Sequence, residues 1–143
     1  MYMQRAVSDS TVAQTHHVAA LLARVLLVAV FLISGFGKAT GFARTVSYIA
    51  SSGLPLPELV AAIAIAVELG LGLLVLVGWR TRWAAFGIAI YTIAAGLLFH
   101  TYWADAPAER MADFINFWKN VSIAGGFLMV LAFGPGRYSV DRR

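Results

Sequence analysis

The stretch from Glu58 to Val77, ELVAAIAIAVELGLGLLVLV, decides the fold. Beyond its first residue it holds a single charged group, Glu68, at its middle. A helix of about 20 residues rises ~30 Å, the depth of a bilayer's hydrocarbon core. Lipid offers no partner to a free backbone N–H or C=O, so a run this apolar crosses as a helix. Three more stretches are comparable: Val18 to Lys38, Trp83 to His100 and Phe114 to Phe133. The sequence therefore predicts an all-α integral membrane protein, an antiparallel bundle of four transmembrane helices.

Composition agrees with this. Of 143 residues, 60% are apolar and 13% charged, against about 25% charged in an ordinary soluble domain. A chain this short has no interior large enough to bury so much apolar surface, so lipid must cover it. The net charge of +4 is spread between apolar stretches rather than gathered in a patch, which suits membrane topology and not nucleic acid. There is no cysteine. Disulfides, thiolate-held iron–sulfur clusters and covalent haem are thereby excluded, and any redox chemistry needs a borrowed cofactor. No metal site is expected.

Residues 1–17 read as a polar N-terminal segment without the basic start of a cleaved signal peptide, and residues 18–143 as the membrane domain. Between the first two spans, Phe42, Val46 and Ile49 recur at helical spacing beside Arg44 and Ser47, which predicts a short amphipathic helix on the outer surface. Ser51, Ser52 and Gly53 stop it, and Pro55 and Pro57 lead into span two. The short Gly78–Arg82 turn makes spans two and three antiparallel neighbours. Four spans place both termini on one side with Arg80 and Arg82. That side also holds Arg5, Arg137, Arg142 and Arg143, so the positive-inside rule predicts cytoplasmic termini in a bacterial-type inner membrane.

Polar groups at membrane depth cost about 2.5–3.5 kcal/mol each on insertion scales and demand partners. Glu68 lies too deep to snorkel; a satisfied interhelical pair and a functional site are equally good readings of it. Asn116, Lys119 and Asn120 share one face of span four. Lys119 is the predicted partner of Glu68. Lys38 and His100 end spans one and three in the same membrane half, giving a candidate pocket of Lys38, Glu68, His100, Asn116, Lys119 and Asn120. Snorkelling is the ordinary reading of Lys38, and an interfacial or capping role that of His100. Arg24 either reaches headgroups at the cytoplasmic end or approaches Glu68 from below. His16 and His17 stand about a bilayer away from His100, so haem held within this chain is not expected.

These residues carry a resemblance. The run Arg24 to Lys38, Gly53-Leu-Pro-x-Pro57, Val67-Glu68-Leu69-Gly70 with Gly72, and Gly78-x-x-Thr81-Arg82 occur in the order seen in the DoxX family. So do Phe99-His100, Asn116-x-x-Lys119-Asn120, Gly125-Gly126 and the tail from Gly134 to Asp141. From about residue 20 to its end the chain resembles that family. The resemblance implies a four-helix membrane protein whose named relatives are tied to quinone-linked oxidation of sulfur compounds and to membrane oxidoreductase complexes. It places the family's polar signature on Arg24, Lys38, Glu68, His100, Asn116, Lys119 and Asn120.

Three functions follow as expectations. The first is a membrane subunit of a quinone-linked oxidoreductase or respiratory complex, its polar pocket binding quinone or relaying protons. The second is a noncatalytic accessory or assembly subunit, its small-residue faces packing on other membrane subunits or on further copies of itself. The third is a small solute carrier. Nothing in the sequence forms a nucleophile–base catalytic unit.

Overall fold

The computed structural model describes the backbone of residues 2–142 and the side chains of residues 14–108 and 110–142. It contains six α-helices: α1 (Tyr2–Thr40), α2 (Phe42–Ser51), α3 (Pro57–Ile65), α4 (Gly72–Val77), α5 (Thr81–Phe99) and α6 (Pro107–Phe133). A π-helical segment, Ala66–Leu71, joins α3 to α4 in one continuous rod. Among the described residues, four segments are long and apolar enough to cross a membrane: Gln14–Thr40, Pro57–Val77, Thr81–Phe99 and Arg110–Phe133. Each expected span is present within a few residues of its predicted bounds. Helix α1 runs unbroken through the boundary expected at residue 17, so the polar segment continues the rod of span one.

The bundle is apolar on both sides of its helices, as lipid requires. Leu26, Ile33, Trp83 and Phe133 are each 74% exposed, an arrangement that water would penalise at about 25 cal/mol per Å². Inside, Val28, Phe31, Val75, Ile88 and Phe127 form the core. The Phe31 and Phe127 rings meet edge to face at 5.4 Å, a favoured aromatic geometry. Helix α5 packs along α6, and α1 along the rod of span two.

Helix α2 is the expected short amphipathic helix. It buries Ile49 against the bundle and stacks Tyr48 on Phe99 at 5.7 Å. It thereby covers the end of the bundle opposite the termini.

At the other end, the chain after α6 folds back as a strap. The Asp141 carboxylate accepts hydrogen bonds from the backbone N–H of Arg80 and Thr81 and from the Thr81 hydroxyl, at 3.0, 2.8 and 2.9 Å. Helix α5 has no capping side chain of its own. Asp141 supplies that cap from 60 residues away, an anion placed at the positive end of a helix dipole.

Candidate functional site

The site is built around the π-helical segment. Its wider i→i+5 turn interrupts the α-helical ladder, and such turns recur at functional positions. Here it carries Glu68, which is 4% exposed. Opposite it stands Gly35 of α1: a Cβ there would lie 2.9 Å from the Leu69 Cγ and 3.0 Å from the Glu68 Cβ. Only glycine lets α1 approach the π turn this closely. Lys38, one helical turn further along α1, then reaches the carboxylate.

The Lys38 Nζ donates to both Glu68 oxygens at 2.9 Å and to the Ser34 hydroxyl four residues back. From α5, the Tyr91 hydroxyl donates to Glu68 Oε1 at 2.6 Å. Three elements thus converge on one carboxylate. Taking such a pair out of water costs several kcal/mol per ion, and extra hydrogen bonds of this kind are what make burial tolerable.

The group forms part of the wall of a cavity of about 480 Å³, within the usual size range of small-ligand pockets. Its remaining walls are largely apolar, including Val30, Phe31, Ile63, Leu98 and Phe99. His100, Lys119 and Asn120 add polar groups, and Thr45 and Tyr48 of α2 contribute to the lining. His100 ends α5, where its Nδ1 lies 3.2 Å from Asp113 Oδ1 of α6.

Of the seven residues singled out from sequence, Lys38, Glu68, His100, Lys119 and Asn120 line this cavity. Asn116 is joined to them through Lys119, whose Nζ donates to Asn116 Oδ1 at 2.7 Å. Two expectations are corrected here. Lys119 is not the partner of Glu68: it turns back along its own helix to Asn116, and Lys38 takes the carboxylate. Lys38 accordingly does not snorkel but reaches inward.

Arg24 departs from both readings offered for it. It neither reaches headgroups nor approaches Glu68. Its side chain is 1% exposed, and its Nη2 donates to the Tyr138 carbonyl of the terminal strap, close beside Gly78.

Tyr91 was not among the residues expected. A signal for it exists in the sequence: a tyrosine favours the membrane interface, and Tyr91 lies in the middle of span three. A phenol at that depth needs a hydrogen-bond partner, and Glu68 is that partner.

These features define a class: a small integral membrane protein of four spans, with a polar group enclosed between its helices. The chain belongs to the DoxX family, whose model matches residues 19–101. It is 45% identical to the inner membrane protein YphA of Escherichia coli over 126 residues, 86% of this chain and 88% of that one. Inner membrane protein YqjF of the same organism is 38% identical over 125 residues, 87% and 91% of the two chains. A shorter similarity, 35% over 72 residues, relates the chain to a Surfeit locus protein 4 homolog of Drosophila melanogaster; it covers 48% of this chain and 26% of that one. No solved structure matches. The family match takes in Lys38, Glu68, Tyr91 and His100, whereas α6, with Asn116, Lys119 and Asn120, lies beyond it.

Proposed function

We propose that this protein is a membrane subunit of a quinone-linked oxidoreductase, and that the cavity beside Glu68 receives the quinone head. The observation that carries this reading is the Lys38–Glu68–Tyr91 group in the wall of an otherwise apolar, ligand-sized cavity. A quinone needs apolar walls for its ring and hydrogen-bond donors for its oxygens. Lys38 and Tyr91 are donors gathered on a shared carboxylate, and a ring oxygen arriving beside them would take over an N–H of Lys38 or the O–H of Tyr91 from Glu68. A bound quinone would supply the electron-carrying chemistry. The chain's part is to orient the ring, exclude water, and hold a proton on the Tyr91 hydroxyl against the Glu68 carboxylate, from where it could pass to a reduced ring oxygen. With no cysteine for a thiolate-held centre, electrons reach the cavity from a partner chain, which is why the reading is of a subunit.

Purification in mild detergent followed by solvent extraction tests this. Wild-type protein is expected to retain quinone, and Glu68→Gln to lose at least about tenfold in decylubiquinone affinity, the scale of one charge-assisted hydrogen bond. Protein that retains no quinone, with a Glu68→Gln variant that still supports normal quinone reduction by its partners, would leave the chain as a noncatalytic accessory subunit.

A further inference from the structure

The polar groups of the cavity fall into two sets. Lys38, Glu68 and Tyr91 satisfy one another. The set on α6 does not. Lys119 donates to the neutral Asn116, and among the described residues no carboxylate lies within ion-pair distance of it. The Asn120 carboxamide makes no hydrogen bond among those residues, although it lines the cavity. An unneutralised ammonium with an unused carboxamide beside it, inside a membrane span, calls for an anion.

A second feature continues from this place. Between α1 and α6 runs an apolar groove of about 630 Å³ whose walls include Leu27, Val30, Ile123 and Met129. Val30 and Ile123 also line the cavity, so cavity and groove meet at these two side chains. Along α6, Lys119 to Met129 is a rise of ~15 Å, about the depth of one bilayer leaflet. Because Lys119 points back to Asn116, its ammonium is directed toward the start of α6, the nearer membrane surface, where lipid phosphates lie.

From this juxtaposition we infer that the α1–α6 seam is a binding site for an anionic phospholipid. Its phosphate is held by Lys119 and Asn120, with Asn116 positioning the lysine, and an acyl chain lies in the groove past Val30 and Ile123. The site does not use the Lys38–Glu68–Tyr91 group, but it shares Lys119, Asn120, Val30 and Ile123 with the lining of the cavity assigned to the quinone.

Native mass spectrometry of the full chain, equilibrated with phosphatidylglycerol, phosphatidylcholine or oleate, tests the assignment. Wild-type protein is expected to retain phosphatidylglycerol about tenfold over phosphatidylcholine. Lys119→Met should abolish that preference, Lys119→Arg should keep it, and Arg44→Gln, on the exposed face of α2, should leave it unchanged. Ile123→Phe, which narrows the seam without touching the charge, should weaken retention of phosphatidylglycerol. Equal retention of the two phospholipids by wild type would overturn the inference, as would a preference that survives Lys119→Met or falls equally in Arg44→Gln. Oleate retained in place of phosphatidylglycerol would overturn the phospholipid assignment.

Discussion

Glu68 accepts three hydrogen bonds from two helices, and its burial makes each partner consequential. Removing Lys38 alone leaves a carboxylate enclosed without its countercharge, a change that typically costs about 3–5 kcal/mol. Lys38→Met should therefore lower the melting temperature in detergent sharply. The double variant Lys38→Met with Glu68→Leu replaces the pair by apolar side chains and should recover most of that loss. If the double variant melts as low as the single one, the pair contributes through packing rather than charge. That a polar site exists was legible in the sequence, because a mid-span glutamate is costly enough to announce itself. Its partner was not. A residue count gives depth, whereas the partner depends on which way each helix faces. Each residue advances ~100° around an α-helix, so the wider π turn at Ala66–Leu71 re-aims Glu68 in a manner no α-helical projection contains.

The elements are held at their ends as much as along their faces. Where α4 ends, Gly78 adopts φ +75°, and a Cβ there would meet the Arg24 guanidinium and lie 2.9 Å from the Ser139 Cα. Both the left-handed conformation and the close approach require glycine. The strap then pairs its backbone with the end of span two, Val140 N–H to the Val77 carbonyl at 3.2 Å and Asp141 N–H to that of Gly78 at 2.8 Å. Asp141→Ala should remove the borrowed cap of α5 and lower stability by about 1–2 kcal/mol. Asp141→Asn, which keeps an acceptor but not the charge, should fall between it and wild type. Thermal melts of the three proteins in one detergent decide this, and coincident curves would show that the strap is held by its backbone bonds alone. Arg80 and Arg82 make the turn before α5 look like a charge partner for the tail's aspartate. The aspartate does reach that turn, but it binds backbone N–H groups there. Free N–H groups at a helix start are an obligate demand, which side-chain charge matching does not reveal.

For the whole molecule, four spans bring both termini and the Val77–Thr81 turn to one end, and α2 with the Thr101–Pro107 connection to the other. Hydropathy alone made this legible, since the bilayer fixes both the length of a span and its helical form. Orientation is a separate matter, decided by charge. Arg80, Arg82, Arg137 and Arg142 stand at the end that holds the termini. At the opposite end Lys38 is committed to Glu68, leaving Arg44 and Arg110 beside Glu58, Asp105 and Asp113. The imbalance predicts cytoplasmic termini, with α2 and the mouth of the cavity on the outer face. Because the chain has no cysteine, single cysteines report this without background. Gln14 and Ser51 are both exposed and lie toward opposite ends of the bundle. In intact spheroplasts a membrane-impermeant maleimide should label Ser51→Cys, and should label Gln14→Cys only after permeabilisation. The reverse pattern would place the cavity mouth on the cytoplasmic face, and any proton exchanged at Glu68 would then come from the other side of the membrane.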